Sequence, residues 1–178
     1  SSGVSICTAG CQLDASACYT CGNGIVEGAE SVANCPADCG AVDISAGGEQ
    51  SCALQGIGTA WCWGHNAEGE IGDGTTTQRN APVQVPGLTD VRSISAGSGG
   101  GDLMGHTCAV KLDGTAWCWG ANYVGQLGDG TGTDRHSPVQ VSALTDTIAI
   151  SASSEHTCAV KGDGTAWCWG YGGYGKLG

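Results

Sequence analysis

Apolar and polar positions alternate in short runs along the chain, and no stretch repeats apolar residues every three or four positions, so the local pattern is one of strands and turns. The run Val91-Arg92-Ser93-Ile94-Ser95-Ala96 predicts a short strand that stops at Gly97. A hairpin is predicted next: Thr107 to Lys111, a tip at Leu112-Asp113-Gly114 with the glycine left-handed, and Thr115 to Trp119. Counting outward from Lys111 opposite Thr115 sets Val110 against Ala116, Ala109 against Trp117 and Cys108 against Cys118. Directly opposed side chains sit about 4.5 to 5.5 Å apart, within reach of a disulfide. The same count couples Cys52 with Cys62 and Cys158 with Cys168; each bridge closes a short loop and stabilises by roughly 2 to 3 kcal/mol. A last strand, APVQV or SPVQV, carries Pro82 or Pro138 near its start, where a missing donor does least harm.

This arrangement recurs. SCALQGIGTAWCWGHN, TCAVKLDGTAWCWGAN and TCAVKGDGTAWCWGYG align Cys52, Cys108 and Cys158, while Ile44, Ile94 and Ile150 align in ISAG, ISAG and ISAS. The spacings agree on a unit of about 50 residues with one insertion of about six, which falls between Gly97 and Cys108. Gly72, Gly128 and Gly178 mark the end of a third shared segment. Within a unit, Trp117 and Trp119 share one face of their strand and Cys118 points to the other. A small sheet that is apolar on both sides must be covered on both, and the next copy of itself is the simplest cover. Sheets of about four strands stacked radially are the blades of a β-propeller. Trp61, Trp63, Trp117, Trp119, Trp167 and Trp169 are accordingly read as core between units, with a carbohydrate-stacking platform as the other reading.

The segments ISAG, TCAV, GTAWCWG, GDGT and PVQV, taken in that order, resemble the repeat of the regulator of chromosome condensation family, from Ala41 to Gly178. Members of that family are typically seven-bladed propellers. The resemblance implies an all-β fold, a partial β-propeller of antiparallel blades, with repeats at 41–90, 91–146 and 147–178, the last incomplete. Seven such units would need about 350 residues, so this chain alone does not close a ring. The family's founding activity is guanine-nucleotide exchange on a small GTPase, with chromatin binding through basic segments. The loops of the exchange face have no match here, and that activity stays a distant alternative. Secreted bacterial relatives use the propeller as a rigid protein-binding surface. The resemblance therefore implies a non-catalytic extracellular module that binds a protein partner or attaches to a surface. The other reading is structural: a subunit of an extracellular filament or sheath, self-associating through open blade edges.

Charge and cysteine content narrow this further. Six Lys+Arg stand against 17 Asp+Glu, a formal charge of -11, whereas a partner held by its phosphates needs clustered cations; nucleic acid is not an expected partner. No run approaches 18 apolar residues, so no membrane span is expected. SSGVSICTAG lacks the basic flank and apolar stretch of a signal peptide, and with no initial Met the chain reads as a mature or excised piece of a larger precursor. Twelve cysteines, an even number, point to an oxidising compartment, secreted or at the cell surface, in a bacterial setting.

Residues 1–40 form a separate Cys-rich module with Cys7, Cys11, Cys18, Cys21, Cys35 and Cys39, enough for three bridges in any of fifteen connectivities. CGNGIVEGAESVANCPADCG resembles short Cys-rich segments of secreted bacterial proteins, with Val26 and Val32 standing where those have two further cysteines. The spacing of Cys18, Cys21, Cys35 and Cys39 also suits a four-thiolate Zn2+ site, and Asn23, Glu27, Glu30 and Asp38 offer oxygens to Ca2+. Disulfides without a cofactor are the expectation, since a zinc site would leave Cys7 and Cys11 to pair alone.

Elsewhere, His106 and His156 share a position with Gln50 and are read as hydrogen-bonding edge residues. Asp73 and Asp129 are read as bonding the backbone of a Gly-containing turn, with Arg79 and Arg135 pairing with them or capping a blade edge. No serine elbow, phosphate-cradling glycine motif or metalloprotease helix appears in the sequence, and no enzyme activity is expected. The insertion, with Ser98, Asp102, Leu103 and Met104, is a candidate binding loop, against the plainer reading of a tolerated flexible connection.

Overall fold

A computed structural model describes residues 41–98 and 105–178. The first sheet contains β1 (Ala41–Ala46), β2 (Gln50–Gln55), β3 (Ala60–Gly64) and β4 (Arg79–Gln84), and the second β5 (Val91–Ala96), β6 (His106–Lys111), β7 (Ala116–Gly120) and β8 (Arg135–Gln140). The third has β9 (Thr147–Ala152), β10 (His156–Lys161) and β11 (Ala166–Gly170), followed by a short 3-10 turn at Gly173–Gly175. All pairings are antiparallel, each sheet running as a meander from its first strand outward.

The hairpin register follows from the apolar alternation and the tip glycine. Val110 lies opposite Ala116, Ala109 opposite Trp117 and Cys108 opposite Cys118, with Lys111 N donating to Thr115 O at 2.9 Å across the tip. Both outer strands begin at an arginine, two residues before the run APVQV or SPVQV. Pro82 and Pro138 therefore stand inside an edge strand rather than near its start. Each coincides with a register break, between Cys62 and Gly64 or between Cys118 and Gly120. A break of this kind removes the need for the donor that proline lacks.

Stacking joins unlike faces. Cys52, Leu54 and Cys62 of the first sheet share one core with Ile94, Ala109 and Trp119 of the second. Cys108, Val110 and Cys118 of the second sheet share another with Ile150 and Ala159 of the third, against which Trp169 packs. Every seam thus sets a disulfide face against a tryptophan face. Full burial of an indole such as Trp119 stabilises by about 3 kcal/mol. No helix among the described residues is long and apolar enough to cross a membrane.

Candidate protein-interaction rim

The seams are fixed by main-chain acceptors. Glu70 O accepts hydrogen bonds from Trp119 Nε1 at 2.8 Å and Thr107 Oγ1 at 2.9 Å. One unit on, Gln126 O accepts from Trp169 Nε1 at 2.9 Å and Thr157 Oγ1 at 2.8 Å. Beside the first strands, Ser45 Oγ accepts from Ala96 N and Ser95 Oγ from Ala152 N, both at 2.9 Å. Close approach here needs glycine. Gly72 has φ 78, and a Cβ on it would lie 2.6 Å from Trp119 Nε1.

His106 corrects the sequence reading. It is a fully buried seam residue rather than an edge one, with Nε2 2.7 Å from Thr157 Oγ1. Since the Thr157 hydroxyl proton goes to Gln126 O, His106 Nε2 must be the donor. His106 Nδ1 has no partner among the described residues. Burial, and then the charge of nearby His156, pushes the imidazole down to about 3, so the ring is neutral. Gln50 holds the corresponding place in the first sheet, donating from Nε2 to Gly97 O at 3.0 Å.

From β3 to β4 and from β7 to β8 the chain makes long loops, each organised by one buried asparagine. Asn122 Nδ2 donates to Thr131 O at 3.1 Å and Thr133 O at 3.0 Å, and its Oδ1 accepts from Leu127 N at 3.0 Å. Asn66 does the same with Thr75 O, Thr77 O and Ile71 N. Asp129 accepts from Thr131 N and Oγ1 and pairs with Arg135, whose Nε lies 2.8 Å from Oδ2. Burial would raise this carboxyl, but the Thr131, Arg135 and Asn122 hydrogen bonds outweigh it and hold it down at about 2. Asp73 forms the equivalent pair with Arg79, 2.6 Å from Nε.

In a meander the β3–β4 and β7–β8 loops leave from the same end as the β1–β2 and β5–β6 turns. The described residues on either side of the insertion also end on that rim: Gly97 N donates to His106 O at 2.8 Å and Ala121 N to Gly105 O at 3.1 Å. All three tyrosines among the described residues, Tyr123, Tyr171 and Tyr174, also stand exposed on this rim, Tyr174 at 98%. Tyr123 Oη donates to Glu155 Oε1 at 3.1 Å across the second seam; burial, then this bond and the carboxylate charge, raise the phenol above its usual range. Around them lie Glu49, Glu68, Asp134 and Glu155. Burial, reinforced by a hydrogen bond with Asp134, raises the Glu68 carboxyl. His65 Nδ1 is 3.1 Å from Glu70 Oε1, and Lys176 Nζ is 3.8 Å from Glu155 Oε2.

The three hairpin cysteine pairs have their sulfurs at bonding distance, with Cα atoms 4.1 Å apart in each. Trp119 is fully buried, Trp61, Trp63, Trp117 and Trp169 are half-buried, and Trp167 is 54% exposed. Ser98 is exposed. Asp102, Leu103 and Met104 lie outside the described residues, as do Cys7, Cys11, Cys18, Cys21, Cys35 and Cys39 with the Zn2+ and Ca2+ readings. Among the described residues no group of three or more His, Cys, Asp or Glu side chains is arranged to hold a metal ion. The tyrosines and the buried asparagines were not singled out from sequence, although Asn66 and Asn122 occupy one column of the repeat.

Comparison with known proteins converges on one family. A model of the regulator of chromosome condensation (RCC1) repeat matches residues 58–110 and 113–160, more than half of the chain, and a second model of that repeat matches 148–176. Human Protein RCC2 is 36% identical over 97 residues, covering 51% of this chain and 18% of its own length. The Arabidopsis thaliana ultraviolet-B receptor UVR8 is 33% identical over 102 residues, covering 57% of this chain and 22% of its own. The match thus spans about a fifth of these relatives. Among solved structures, human WBSCR16 superposes with a TM-score of 0.65 at 22% identity, over 74% of this chain and 33% of that one. Prp20p from Saccharomyces cerevisiae does so with a TM-score of 0.61 at 24% identity, over 73% of this chain and 30% of that one.

Proposed function

The chain belongs to the regulator of chromosome condensation repeat family, and from that premise we propose that it is a non-catalytic protein-binding scaffold of an oxidising compartment, secreted or surface-attached in a bacterial setting. The observation that carries this reading is the rim. Three exposed tyrosines share one end of a stack whose seams are locked by buried hydrogen bonds. Tyrosine supplies large contact area with few rotors to immobilise, and a rigid support lowers the entropic cost of binding. The surrounding carboxylates favour a partner with a basic or donor-rich surface. Yeast Prp20, which shares the fold, was solved with Kap60 and has binding properties toward Gsp1p and histones, so protein partners are in keeping with the architecture. Three cysteine pairs at disulfide distance support an oxidising location.

The test is retention of surface and secreted proteins from the native source by the immobilised, oxidised chain, compared with a Tyr123→Ala, Tyr171→Ala, Tyr174→Ala variant. A partner held by the parent and lost at least about tenfold by the variant is expected, since aromatic anchors carry much of an interface's energy. Equal retention by both would place the binding surface elsewhere.

A further inference from the structure

We propose that the first seam carries a proton-operated clasp: His65, set between the carboxylates of Glu49 and Glu70, holds the seam more tightly when its ring is charged. His65 Nδ1 lies 3.1 Å from Glu70 Oε1 and 3.7 Å from Glu49 Oε2, and His65 N donates to Glu49 O at 2.9 Å. The residue thus ties the β1–β2 turn to the β3–β4 loop.

Glu70 carries the contact into the seam. Its side chain is 2% exposed, and its second oxygen, Oε2, accepts from Glu68 N at 2.9 Å. Its main-chain O is the acceptor that holds Trp119 and Thr107 of the second unit. A carboxylate taken out of water needs a charged or fully bonded partner, so the state of the imidazole bears on how firmly residue 70, and with it the seam acceptor, is held. The neighbouring titratable groups are Glu68 in the same loop and, against Glu68, Asp134 and His136 of the second unit. Burial and then Asp134 raise the Glu68 carboxyl, the charge of Glu70 adds to the rise, and His136 opposes it. The surroundings are acidic on balance and favour a cation at His65.

The repeat offers two contrasting versions of the same place. Glu49, His65 and Glu70 correspond to Gly105, Ala121 and Gln126 in the second unit and to Glu155, Tyr171 and Lys176 in the third. In the second unit none of the three is charged, and Gln126 Nε2 is buried with no partner among the described residues. In the third, Lys176 Nζ lies 3.8 Å from Glu155 Oε2 and 5.2 Å from the centroid of the Tyr171 ring, an ammonium in place of the imidazole. The first version rests on histidine, the side chain whose charge changes between about pH 5 and 8. A neutral ring still donates from Nδ1, so what changes is the charge on the bond rather than the bond itself. The stabilisation is present in mild acid and is lost as pH rises, the opposite sense to buried His106. This inference does not rest on the tyrosine rim or on any partner.

The experiment is hydrogen exchange at the Trp119 indole N–H, followed by NMR in the oxidised full chain and in His65→Ala, which installs the residue found at position 121. At about pH 5.5 the variant is expected to exchange roughly two- to fivefold faster than the parent, the range of a partly solvated ion pair, and the ratio to shrink toward one by about pH 8. Taking the ratio at each pH cancels the pH dependence of exchange itself. At Trp169, whose N–H goes to Gln126 O, the ratio should stay at one throughout. His65→Lys is expected to match the parent at the lower pH and to keep that protection at the higher. A ratio for His65→Ala that is the same at both pH values, or a lysine variant that behaves as the alanine one, overturns the proposal. Should His65→Ala fail to fold, the lysine variant against the parent reads the same contrast: equal rates in mild acid and slower exchange in the variant at the higher pH are expected, and equal rates at both overturn it.

Discussion

The second and third sheets share the run T-C-A-V-K-x-D-G-T-A-W-C-W-G, yet their surroundings differ. Cys108, Val110 and Cys118 lie under the third sheet and are fully buried, while Cys158 and Cys168 are half-buried and Val160 is exposed. Trp117 packs against the core of the first seam, whereas Trp167 stands more than half in solvent. Identical letters in the same local conformation thus do different work according to what lies on them. Burial in a stacked array belongs to the neighbour as much as to the unit.

The strongest way to press this contrast is Trp119→Ala against Trp167→Ala. The first removes a fully buried indole with its bond to Glu70 O and is expected to lower unfolding free energy by about 3 to 5 kcal/mol; the second should cost under about 1 kcal/mol. Urea titration of the two variants measures both. Equal losses would remove the distinction.

Next come the disulfides. Removing either Cys108–Cys118 or Cys158–Cys168 as a pair should cost about 2 to 3 kcal/mol, because each spans ten residues of sequence separation. Access separates them. Under mild reduction of the folded chain, alkylation and mass spectrometry should find Cys158 and Cys168 labelled well before Cys108 and Cys118.

The second seam should also respond to acid. His106 lies at about 3 in the folded chain against an ordinary 6.5, so the unfolded chain binds the proton more readily. Stability is therefore fully retained above about pH 6.5 and falls as pH drops from there toward 3, at up to about 1.4 kcal/mol per unit. His106→Gln, which installs the residue found at position 50, should flatten that slope in melts recorded from pH 7 to 4. An unchanged slope would locate the acid sensitivity in other groups.

The smallest effect is expected at the loop ion pair. Asp129→Asn should cost no more than about 1 kcal/mol above pH 4, because Arg135 is partly solvated. Asp129 is held down at about 2 in the folded chain, so its contribution is present above the ordinary carboxylate value and is lost as pH falls through about 2. A difference between parent and variant that persisted at pH 2 would contradict the assignment.

Much of the fold is legible in the chain because strand period and tip glycine act locally. Once Gly114 fixes the turn, the pairing of Cys108 with Cys118 follows by counting. What escaped local counting depends on contact between units. His106 stands at the end of an apolar run and reads as an edge, yet the following sheet covers it and supplies Thr157 as its acceptor. Pro82 reads as a strand start because proline lacks a donor, but a register break accommodates it farther in. Asn66 and Asn122 look like ordinary loop residues, and only the folded loop shows the carbonyls each must satisfy. The three tyrosines of the rim lie in turns without periodicity. Their common side becomes visible only once the meander fixes which connections share an end.

The joint between units is read through carbonyl oxygens at Glu70 and Gln126, and main chain carries no information about side-chain identity. That column holds an acid, an amide and, at Lys176, a base. Such a joint tolerates drift in charge from copy to copy, so a gene can lengthen by duplication and let each new unit acquire its own surface while the old fastening still fits.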